Sequence, residues 1–105
     1  MEILAITTTL ATLADAQALA RCLVAQRLAA CVQVDTGLQS FYRWEGRVCE
    51  DPEVRLTIKT LPERRAAVAA HFAAHHPYDT PQFLAVAMEA DEGYGAWVRA
   101  EVGGG

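Results

Sequence analysis

The chain has 105 residues, 52% of them hydrophobic and 21% charged, with a formal net charge of −4. That length fits one small domain, that composition excludes a disordered tail, and the acidic balance offers no field for a nucleic-acid backbone. The apolar runs are too short to span a bilayer, so no membrane partner is expected.

Met1-Glu2-Ile3-Leu4 lacks the positive start of a secretory signal. The three cysteines, Cys22, Cys31 and Cys49, are odd in number and not closely spaced. Both features point to a reducing cytoplasm and away from a disulfide framework.

Glu2 to Thr9 is short, β-branched and apolar, and reads as a strand. Thr12 followed by Asp15 resembles a capping box, and Ala16, Leu19, Ala20, Leu23 and Leu28 then recur at helical spacing to about Arg27-Leu28. Ala29 to Asp35 is the next strand; Gly37 interrupts it and Leu38 to Trp44 resumes it. Glu45-Gly46 supplies a two-residue turn, and Arg47 to Lys59 returns as the partner, with Pro52 marking an edge or a bulge.

The register of this hairpin contains a conflict. A tight turn pairs Trp44 with Arg47, an odd residue-number sum, whereas placing Val32 and Val34 on one face with Leu56 and Ile58 needs an even sum. One extra residue repairs the parity, and Gly37 and the Asp51-Pro52 step are the two places for it. A long, bent hairpin follows.

Thr60 and Glu63 read as a second capping box with Pro62 in the first turn, and Val68 and Phe72 as the buried stripe of a helix that Pro77 stops. Gln82 to Met88 is a fourth strand, and Asp91 to Val102 a terminal helix carrying Tyr94 and Trp97. The order β-α-β-β-α-β-α predicts an α+β, ferredoxin-like fold: a four-stranded antiparallel sheet with two helices on one face and a C-terminal helix. It is one domain over residues 1–102, with Gly103-Gly104-Gly105 as a flexible tail. The other sheet face, carrying Cys31, Gln33, Arg55, Thr57 and Lys59, then meets water or another subunit, and a homo-oligomer is expected.

The chemistry-bearing residues are few. No Cys-x-x-Cys, phosphate loop or G-x-S-x-G elbow is present, and no catalytic residue is assigned. His71 and His75 share a helix face, but two ligands make a weak site, and a histidine at a helix C-terminus is favoured by the dipole in any case. Cys31 reads either as a small core residue or as a thiol on the uncovered face near Lys59, where an ammonium favours the metal-binding thiolate. His75 to Pro81 reads either simply as a well-made connection between the second helix and the fourth strand or as a stiff segment in which Pro77 and Pro81 fix His76 and Tyr78 toward a shared cleft. Ser40 to Trp44 is aromatic-rich, and Tyr42 and Trp44 read as interface residues.

Taken together, Arg27-Leu28-Ala29-Ala30-Cys31-Val32, Ser40-Phe41-Tyr42-Arg43-Trp44-Glu45-Gly46, Glu53-Val54 through Ile58-Lys59-Thr60, and His76-Pro77-Tyr78-Asp79-Thr80-Pro81 resemble the CutA divalent-cation-tolerance family in order and spacing. Asp79 stands where that family commonly has Glu, and Cys22, Cys49, His71 and His75 lie outside the matching pattern. The resemblance implies a non-enzymatic homotrimer assembled like PII signalling proteins and serving tolerance of copper and other divalent ions. It carries over Cys31 and His76 as metal ligands, with Lys59 and Tyr78 at a cleft between subunits. Copper or another divalent ion is the implied ligand, and no obligatory cofactor is implied. The alternative is a PII-like sensor that binds a small anionic metabolite in that cleft, with Lys59 supplying the charge.

Overall fold

In a computed structural model, residues 1–102 are described; the glycine tail expected at 103–105 lies outside them. The elements are β1 (Glu2–Leu10), α1 (Leu13–Ala25), β2 (Cys31–Trp44), β3 (Arg47–Thr60), a 3-10 turn at Pro62–Arg64, α2 (Arg65–His75), β4 (Leu84–Glu89) and α3 (Glu92–Val102). The four strands form one antiparallel sheet in the order β2-β3-β1-β4. This is the ferredoxin-like arrangement that the element order predicts.

α1 begins as its sequence suggests: Thr12 is the cap, and its Oγ1 accepts the Asp15 backbone N–H at 3.1 Å. The helix stops at Ala25, short of the expected Leu28, because Arg27 adopts φ +59° and turns the chain toward β2. The second capping box does not form. Thr60 is fully buried, and its hydroxyl donates to the Leu28 carbonyl at 2.7 Å. The cap position before Pro62 falls to Leu61, whose side chain makes no capping bond. A hydroxyl inside the core is bound to the nearest buried acceptor, which overrides the local capping pattern.

The hairpin resolves its parity conflict at Gly37. From Trp44↔Arg47 to Leu38↔Glu53 the strands keep one register, and from Asp35↔Arg55 to Cys31↔Lys59 they keep another. Thr36 and Gly37 together oppose the single residue Val54, and Gly37 takes φ +77°. The Asp51-Pro52 step stays in register. Pro52 lies beyond the end of β1, which pairs with β3 only as far as Val54, so one side of this segment is open and tolerates a missing N–H. Glu45 and Gly46 both have positive φ, the turn that matches strand twist. The hairpin beyond Val54 is therefore a two-stranded arm, consistent with the 45 × 25 × 21 Å extents.

α1 and α2 cover one sheet face. Ile6, Leu10, Leu56 and Ile58 from the strands meet Ala16, Leu19, Leu23, Val68 and Phe72 from the helices in the main core. The opposite face is not wholly bare, as the sequence suggested. α3 closes one end of it, where Ile3 and Leu61 pack with Val98 and Val102. Two arginines hold α3 by its carboxyl end: Arg27 donates to the Glu101 and Ala100 carbonyls, and Arg64 to Val102. Beyond α3, Leu84, Val86 and Met88 remain 44–59% exposed on β4. Their alternation sets them in one row, paired with Thr7, Ala5 and Ile3.

Candidate functional site

The sequence-predicted residues fall into two groups. Cys31 opens β2 and pairs across the sheet with Lys59, on the face away from α1 and α2. Cys31 is half-buried, and the Lys59 ammonium donates to Gln33 Oε1 at 3.2 Å. Tyr94 of α3 faces this corner; its phenol pKa is raised by burial and, to a lesser degree, by the negative charge Cys31 carries when ionised.

His76 is placed differently. It ends α2, donating its backbone N–H to Phe72, and Pro77 prevents continuation. The residue is only 9% exposed. Nδ1 accepts the Tyr78 backbone N–H at 3.2 Å, so Nε2 carries the proton and donates to Thr8 Oγ1 at 3.0 Å. This neutral tautomer is favoured, since burial pushes the His76 pKa down, and a bond with the Thr9 backbone opposes that only in part. Thr8 lies between Ile6 and Leu10 on the helix-covered side of β1, so His76 and Cys31 of one chain occupy opposite sides of the sheet. Among the described residues, no three His, Cys, Asp or Glu side chains converge on a metal position.

Tyr78 joins His76 to the arm. Its ring lies 5.2 Å from the imidazole, and its hydroxyl donates to Glu53 Oε2 at 2.6 Å. Tyr42 repeats the motif further out, donating to Asp51 Oδ2 at 2.5 Å. Tyr42, Trp44, Glu53 and Tyr78 line a groove of about 700 Å³ between the arm and the segment after α2. Tyr42 and Trp44, read as interface residues, and Tyr78, read as a cleft residue, thus come together here, whereas Cys31, Lys59 and His76 do not line this groove. Its ionisable acids are Glu53 and Asp79, and no basic side chain lines it, so its local field attracts cations and repels anions.

Both phenols are held protonated. Burial and then Glu53 push the Tyr78 pKa up, and the bond to Asp51 is the largest cause that takes Tyr42 to about 12. The folded chain is therefore expected to show no tyrosine ionisation near the ordinary value of 10.0, and Asp51→Asn to restore one such step. Ultraviolet titration of phenolate absorbance checks this, and an unchanged curve in Asp51→Asn would remove the pairing.

Thr8, Asp51 and Glu53 were not read from the sequence as site residues. Thr8 had a signal: it holds an inward position between Ile6 and Leu10, and a buried hydroxyl needs a partner. Asp51 and Glu53 had none, because their roles depend on a register set by the distant Gly37 bulge.

The profile of the CutA1 divalent ion tolerance protein family matches residues 4–101. The chain is 39% identical over 89 residues to the divalent-cation tolerance protein CutA of Thermus thermophilus, covering 84% of this chain and 86% of that one. Among solved structures, CutA of Xylella fastidiosa superposes with a TM-score of 0.91 at 35% identity, covering 95% of this chain and 97% of that one. The periplasmic divalent cation tolerance protein CutA of Archaeoglobus fulgidus superposes with a TM-score of 0.90 at 31% identity, covering 97% and 99%.

Proposed function

The chain belongs to the CutA1 divalent ion tolerance protein family, and from that premise we propose that it works as a non-enzymatic homotrimer that binds or senses divalent metal ions, copper in particular. Cys31 and His76 are its metal ligands, Lys59 and Tyr78 lie near the cleft, and Tyr42 and Trp44 serve assembly. Its compartment is the cytoplasm in this reading, although the Archaeoglobus relative is described as periplasmic. No helix among the described residues is long and apolar enough to cross a membrane.

The observation that carries the reading is the position of Cys31. It stands on the sheet face whose apolar row, Leu84, Val86 and Met88, is exposed beside Tyr94 and Trp97 of α3. An apolar row of this kind marks an interaction surface. Copies closing over it bring Cys31 to a subunit boundary. A site that uses both Cys31 and His76 must then draw them from different subunits, since one chain holds them apart.

Sedimentation at micromolar protein is expected to give a trimer, and Trp44→Ala to shift it toward monomer. Titration with copper(I), copper(II) and zinc is expected to show weaker binding in Cys31→Ser/His76→Ala than in the unaltered chain. Wild-type affinity in the double variant would remove both ligands, and a monomer in dilute solution would remove the shared site.

A further inference from the structure

A second place gathers soft and borderline metal donors, away from Cys31 and His76. α1 and α2 enclose a groove of about 300 Å³ lined by Asp15, Cys22, His71 and His75. His71 is 7% exposed, and its Nε2 is the one buried side-chain polar atom among the described residues that has no hydrogen-bond partner. Buried polar atoms are nearly always paired, so an orphan calls for an explanation. His75, one helical turn further along α2, places its ring centroid 4.5 Å from that of His71 with the planes tilted by 40°. Gln26 fixes the facing thiol by donating to Cys22 Sγ at 3.2 Å.

We propose that His71 and His75 chelate a zinc-type divalent cation in the groove between α1 and α2, with Cys22 drawing in from α1 as a third ligand. Imidazole nitrogens four residues apart on a helix share one face, and metal–nitrogen bonds of about 2.0–2.1 Å let one ion span them. Two nitrogens and one sulfur suit a borderline-soft ion better than calcium or magnesium, which take oxygen. The three donors line one groove but have not converged. His75 is exposed, so its ring is free to swing over the His71 nitrogen. Burial, then the neighbouring His75, lowers the His71 pKa and keeps its imidazole in the neutral form that binds metal. As Cys22 coordinates, its S–H proton passes to solvent and a zinc–sulfur bond takes its place. Asp15 adds negative charge at the groove.

The test is titration of the full chain carrying Cys31→Ser, which removes the thiol of the first site, with zinc chloride, and separately with cobalt(II) chloride followed by optical absorption; the variants that follow are made in that background. His75→Ala removes an exposed side chain, so it leaves the fold intact. It is expected to weaken zinc binding by about tenfold or more. Cobalt is expected to give a thiolate-to-metal charge-transfer band that Cys22→Ser abolishes. Zinc affinity in His75→Ala equal to that of its Cys31→Ser parent overturns the proposal. A weakened His75→Ala beside an unchanged cobalt spectrum in Cys22→Ser overturns the part given to the thiol.

Discussion

Ile58→Ala is expected to destabilise the fold by about 2–5 kcal/mol, the range for removing a large buried aliphatic side chain. Ile58 has no solvent exposure, and it pairs with Ile6 on one side and Val32 on the other. β3 is an inner strand, so a cavity there is walled by sheet on both flanks and by the helices above. The neighbours cannot collapse into it without moving the backbone, which is why the cavity adds to the lost transfer energy. Val24→Ala is the matched control. Val24 is 44% exposed on α1, and alanine is the better helix former, so little change or a slight gain is expected. Denaturant unfolding at fixed protein concentration reads both, since self-association makes the midpoint concentration-dependent. Equal midpoints for the two variants would show that Ile58 is not in the core.

How much of this was legible beforehand follows from the range of each interaction. The strand pattern, the Thr12 cap and the Val68–Phe72 stripe are written within a few residues of where they act, and each is present. The bulge was legible because parity is a counting constraint: the two halves of one hairpin demanded different registers, and Gly37 was one of two places able to absorb the difference. Thr60 and Glu63 misled because a capping box is a local pattern and Thr60 answered to a carbonyl 32 residues away. Glu63 is held instead by Arg99 of α3.

The candidate site divides in the same way. The aromatic cluster of the arm and the Pro77–Pro81 segment were each visible as sequence, and they meet in one groove. That Cys31 and His76 lie on opposite sides of the sheet was also within reach. Cys31 alternates with Val32, while His76 follows α2, whose buried stripe commits it to the other face. What could not be read is that Glu53 joins Asp79 in giving the groove its acidic character, because Glu53 meets Tyr78 only through the folded register.

Lowering the pH from about 7 to about 5 is expected to destabilise the chain through two histidines. Burial lowers the His76 pKa below 6.5, and burial followed by His75 does the same for His71. A histidine whose folded pKa is depressed contributes its full stability above the unfolded pKa. That contribution is lost as pH falls below 6.5 toward the folded value. Each group adds at most about 1.4 kcal/mol per pH unit within its window. For His76 the loss is also geometric, because a proton on Nδ1 replaces the acceptor that holds the Tyr78 backbone N–H with a second donor. That would free the Tyr78 end of the groove from the core while leaving its bond to Glu53. Glu63, whose pKa is lowered from 4.5, loses its own contribution only at more acid pH, so the two effects separate along the pH axis. His71→Phe keeps a ring in the core and is expected to flatten the slope by one proton's worth; Thr8→Val strips His76 of its Nε2 partner and tests the other. Denaturant midpoints measured across this range decide it: a flat profile in the unaltered chain, or an unchanged slope in His71→Phe, would mean that the buried imidazoles are not what acid attacks first.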